Sequence, residues 1–147
     1  MGFSFRFEAL LTYRAHRKER AEVTLGKARK HLRRALDDLE ALRTNRREAC
    51  DERSASLRQR PSADLLLNYA DFLSALKARI QGQEEEVAAR ERAVQDRRNE
   101  VLARTREYRI IEKLKERDYK TWLLEQRRQE QKTLDETAVV RHARVFP

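Results

Sequence analysis

From Ser62 to about Val140 the chain holds no proline, and its one glycine is Gly82. Along this stretch apolar or aromatic residues recur at Leu66, Tyr69, Leu73, Leu76, Ile80, Val87, Val94, Val101, Tyr108 and Ile111. The steps are three, four or seven, the narrow stripe that one continuous helix presents to a coiled-coil partner. At 1.5 Å per residue such a helix would extend on the order of 110 Å. A chain of 147 residues cannot fold that element inside a globule, so the sequence predicts an elongated all-α protein.

A partner for this helix lies upstream. Leu25, Ala28, Leu32, Ala35, Leu39 and Leu42 alternate steps of three and four, so helix is expected over about residues 4–57. Projected backwards the seam meets Phe7, Leu11, Arg14, Lys18 and Ala21, and forwards it meets Arg46, Ala49 and Arg53, so both ends are weaker than the middle. The segment Arg58-Gln59-Arg60-Pro61-Ser62-Ala63-Asp64 interrupts it. Pro61 pushes Arg60 out of helical geometry, Ser62 can cap a new helix, and Asp64 suits the positive end of its dipole. The reading is one domain over residues 1–147: an antiparallel two-helix coiled-coil hairpin with helices at about 4–57 and 63–140, a turn at 58–62, and the longer helix second. If residue i faces roughly 119 − i, Leu39 meets Ile80, Leu32 meets Val87 and Leu25 meets Val94, while Arg33 and Arg34 fall near Glu84, Glu85 and Glu86. Phe3, Phe5 and Phe7 are read as a fraying entry into the first helix. They either fold back on the second helix or anchor a partner.

Composition supports helices over a thick core: 39% of residues are hydrophobic and 40% charged. The sustained seam argues against disorder. A net charge of +9 suits an acidic partner or a solvated arginine-rich surface. Cys50 is the single cysteine, so no internal disulfide forms. The first residues meet charge too early for a signal peptide, no apolar run is long enough to span a bilayer, and Arg6 breaks a myristoylation pattern.

Catalytic chemistry finds no foothold. Gly2, Gly26 and Gly82 stand alone, so no phosphate loop is present. His16, His31 and His142 are isolated, which leaves no zinc-ligand spacing. The carboxylates lie on helix surfaces without a cleft. No cofactor and no enzymatic activity are expected. Asn45-Arg46-Arg47-Glu48-Ala49-Cys50 faintly resembles the basic region of a leucine-zipper factor, but there the leucines must follow, and here they precede. Specific nucleic-acid recognition is therefore not expected.

Three segments, in order, resemble the flagellar FliJ family: Phe5-Arg6-Phe7-Glu8-Ala9-Leu10-Leu11-Thr12-Tyr13-Arg14 at the start, Asn68-Tyr69-Ala70-Asp71-Phe72-Leu73-Ser74-Ala75-Leu76 after the turn, and Glu130-Gln131-Lys132-Thr133-Leu134-Asp135-Glu136 in the tail. The resemblance implies a flagellar type III export component similar to the γ stalk of rotary ATPases. Its implied partners are the export ATPase hexamer, the FlhA export gate and export chaperones, at the inner face of the bacterial membrane. It also implies a gate-binding set at Leu42, Tyr69, Phe72 and Leu76, while Asn45, Ala49 and Arg79 depart from the family pattern there. The ATPase-facing set would be Phe5, Phe7, Leu11, Arg109, Lys113, Tyr119, Trp122 and Leu123. A virulence-secretion stalk shares this architecture, and a basic adaptor for nucleic acid or membrane is the reading outside the class.

Overall fold

The computed structural model describes residues 2–146; Met1 and Pro147 lie outside them. The fold is all-α: α1 (Glu8–Leu57) and the longer α2 (Ala63–Val145) pack against each other. By its internal packing the chain divides into one unit of Arg20–Leu102 and a second of Met1–Glu19 with Ala103–Pro147.

In the first unit the two seams meet. Ala35, Leu39, Ile80 and Val87 form one buried cluster, with Leu32 and Leu42 packed against it. Leu39 thus shares a cluster with Ile80, and Leu32 with Val87, as matched seams require. Ala21, Leu25, Ala49, Leu76 and Val94 are buried along the same line. Alanine alternating with leucine on α1 lets large α2 side chains seat between turns, the knob-and-hole fit of a coiled coil. A polar tie crosses this packing where Gln83 Nε2 donates to the Ala35 carbonyl at 2.9 Å.

The connection is built as its residues suggest. α1 closes with tightened bonds from Arg58 N to the Ala55 carbonyl, 3.3 Å, and from Gln59 N to the Ser56 carbonyl, 3.0 Å. Arg60 then takes φ 51°, the left-handed region, which costs an L-residue roughly 1–2 kcal/mol. Pro61 excludes ordinary helix at that residue. Ser62 caps α2, its Oγ accepting from Leu65 N at 3.2 Å.

The charge pairing departs from the expected one. Arg33 and Arg34 do not meet the glutamates. Glu84 pairs with Arg43 at 3.3 Å, and Glu86 with Arg90 of its own helix at 2.7 Å. At about 100° per residue, Arg33 and Arg34 lie on the side of α1 turned away from α2, while Arg43 reaches diagonally across.

In the second unit the N-terminal residues do not enter a helix at residue 4. Residues 2–5 have no regular structure and α1 starts at Glu8. Phe7 ends this short arm, its carbonyl accepting from Leu11 N at 2.9 Å. Off the helix, the rings find better cover: Phe5 is buried, and Phe3 lies 5.3 Å from Tyr119 and 5.8 Å from Trp122. Glu8 binds Lys115 Nζ at 2.9 Å. Further on, Arg14 donates to the Glu107 carbonyl at 2.8 Å, and the Glu107 carboxylate takes Arg104 at 3.0 Å and Arg17 at 3.6 Å. α2 also continues past residue 140. His142 and Arg144 in its last turn suit the negative end of the helix dipole. No helix among the described residues is long and apolar enough to cross a membrane.

Candidate interaction surfaces

Both expected contact sets lie on helices, so the seam decides which side chains remain available. On the turn side of the first unit, Leu76 is 3% exposed and Phe72 51%. One turn apart, they differ because Leu76 falls on the stripe and Phe72 just beside it. Leu42 is half-buried against the core cluster. Tyr69 is half-buried, its hydroxyl 3.5 Å from Ser56 Oγ. Of the four residues implied at the gate, Phe72 alone therefore offers a largely open aromatic face. Tyr69 lies three residues before it and offers an edge.

An open groove of about 900 Å³ lies close by, between the helices, lined by Leu36, Leu39, Arg43, Arg46, Cys50 and Ile80 among others. The sequence reading missed it. Its signal is the weakening of the α1 seam at Arg46, where an arginine at a seam position cannot fill the space an apolar side chain would.

The second unit carries the other set. Phe5 is buried; Phe7, Leu11, Trp122 and Leu123 are half-buried; Tyr119 is 46% exposed; and Arg109 and Lys113 are exposed. The folded-back arm joins Phe3 to the expected aromatic pair, so Tyr119 and Trp122 are partly covered rather than bare. Tyr119 and Trp122 also stack on each other, 5.9 Å between centroids. The cations just before them divide into two groups. Lys115 and Arg104 are held by Glu8 and Glu107, while Arg106, Arg109 and Lys113 are exposed and enter no ion pair among the described residues. From Arg127 through the end of α2 to Phe146 every residue is exposed. Leu134, Val139, Val145 and Phe146 stand out on this bare stretch, each 64–70% exposed. No group of three or more metal-ligating side chains is found among the described residues.

Comparison with known proteins places this arrangement. No curated protein matches the chain. A solved structure from Chlamydia trachomatis, CT670, described as a YscO homologue, is similar over 96% of each chain with TM-score 0.71 and 22% identity. That likeness extends to the fold: two long packed helices. The sequence profile of the FliJ family, described as flagellar FliJ protein, matches residues 3–145. With nearly its whole length inside that profile, the chain belongs to the FliJ family of flagellar proteins.

Proposed function

We propose that this FliJ family member is a stalk of the flagellar type III export apparatus. In this reading the unit holding both termini engages the ring of the export ATPase through residues 3–14 and 110–140. The turn side of the other unit engages the FlhA export gate, with Phe72 as the main contact, flanked by Tyr69 and Leu42; buried Leu76 fixes the helix beneath them. The chain itself does no chemistry. It stimulates the associated ATPase, helps deliver chaperones with their cargo, and works at the inner face of the cell membrane as a peripheral component.

The observation that carries this reading is the bare end of α2. A lone helix about 10–12 Å across with its side chains, and exposed over roughly 30 Å of its length, has the width of a probe for a ring pore. Exposed Arg106, Arg109 and Lys113 precede it and suit acidic loops around such a pore. Family membership favours the flagellar branch over a virulence-secretion stalk. The test is a truncation after Arg117, assayed on the purified export ATPase. Intact chain should raise hydrolysis and the truncated chain should not. Equal stimulation by both would show that the terminal unit does not face the ATPase.

A further inference from the structure

The stretch from Val23 to Leu36 contains Lys27, Arg29, Lys30, Arg33 and Arg34 and not one carboxylate. The whole chain has 34 basic and 25 acidic residues. These five cations therefore supply more than half of its net charge of +9. All five are exposed, and none enters an ion pair among the described residues. Of the three glutamates expected near Arg33 and Arg34, Glu84 is engaged with Arg43 and Glu86 with Arg90, and exposed Glu85 pairs with neither arginine. Carboxylates close the stretch at both ends, with Glu19 and Glu22 before it and Asp37, Asp38 and Glu40 after it. The result is a bounded cationic face, about 21 Å long at 1.5 Å per residue.

Its orientation follows from the core. Leu25, Leu32, Ala35 and Leu39 turn toward α2, so at about 100° per residue Lys27, Lys30, Arg33 and Arg34 share the opposite half of α1, while Arg29 flanks the seam at its edge. Lys27, Lys30, His31 and Arg34 line a common shallow depression there. Val23, 59% exposed, lies on the same face one turn before Lys27.

We infer that this face of α1 binds the surface of an anionic lipid bilayer directly, in addition to any attachment through export partners. Three features select a bilayer over other polyanions. The face is convex and one helix wide, with no channel to track a nucleic-acid backbone. It carries no Phe, Tyr or Trp between Val23 and Leu36, so unpaired bases have no stacking platform. Its charges are unevenly spaced, and lipid headgroups, being mobile, can gather under each one. Long lysine and arginine stems can hold their charges at headgroup level while Val23 meets the apolar boundary below.

The experiment is flotation of the purified full chain with vesicles at about 150 mM salt. One set of vesicles is phosphatidylcholine alone and the other contains phosphatidylglycerol. The chain should float with the anionic vesicles and not with the neutral ones. Lys27→Gln, Lys30→Gln and Arg34→Gln together should weaken that binding roughly a hundred-fold, about fivefold per cation removed. Arg127→Gln with Arg128→Gln, on the bare end of α2, should leave it unchanged. All of these positions are exposed, and glutamine is a good helix former, so circular dichroism should show full helix in each variant. Equal binding to both vesicle types, or a triple variant that floats like the parent, would overturn the proposal. Displacement from the vesicles by a DNA duplex at lower phosphate concentration would also overturn it, and would assign the face to nucleic acid.

Discussion

Phe72 and Leu76 sit one turn apart on α2 and play different parts. A seam read at steps of three and four already puts Leu76 on the stripe and Phe72 beside it. Their exposures of 3% and 51% follow from that placement. Leu76→Ala removes buried methylenes from a core only two helices thick and should lower the unfolding free energy by about 2–3 kcal/mol. Phe72→Ala should change it by no more than about 0.5 kcal/mol, as for most surface substitutions. Urea denaturation followed by circular dichroism measures both. A Phe72 variant as unstable as the Leu76 variant would place Phe72 in the packing and leave the gate proposal without its open side chain. Ion pairs were far less legible than seam residues. Arg33, Arg34 and Arg43 all have the reach to meet a glutamate, and only the direction of each Cα–Cβ bond decides among them.

At the scale of elements, the helices and the break between them were written in the sequence. Periodicity fixed the faces, and Pro61 with Ser62 fixed the break. The N-terminal arm was not legible. Five residues alternating Phe and polar have no period long enough to separate a fraying helix from an extended arm, and its cover, Tyr119 and Trp122, lies over a hundred residues away. The helices also contain two residues that work against them. Gly26 and Gly82 both have ordinary helical backbones, since no glycine has positive φ. A Cβ built at either meets nothing within 4 Å. Neither glycine is required by a turn or a close approach. Gly26→Ala and Gly82→Ala should each stabilise the fold by about 0.5–1 kcal/mol through lower backbone entropy in the unfolded chain. The urea midpoint of the double variant should rise by about the sum of the two singles, because the sites are distant and share no partner. A fall in midpoint for either would mean that its helix bends there in a way alanine resists.

For the whole molecule, the sequence revealed the fold class more readily than the contacts. A stripe can be read from one chain, whereas the face a partner uses depends on which side chains the packing leaves uncovered. The stalk reading assigns two partners to two separate units, and that division has a consequence that neither unit tested alone can show. In that reading gate binding would depend on Phe72 in one unit, and ATPase stimulation on the bare end of α2 in the other. Phe72→Ala should therefore weaken binding to the FlhA gate while leaving ATPase stimulation at the parental level. Truncation after Gln126 should do the reverse. It removes the run from Arg127 to Phe146 in which every residue is exposed, so it removes no core and should barely move the melting temperature. Stimulation should fall while gate binding persists, and motility should be impaired in both variants. The two readouts, gate pull-down and ATP hydrolysis, need to be taken on the same preparations, each shown to be fully helical. If each variant lost both activities with its helix content intact, the partners would not be divided between the units. The two-ended stalk would then give way to a single composite docking face.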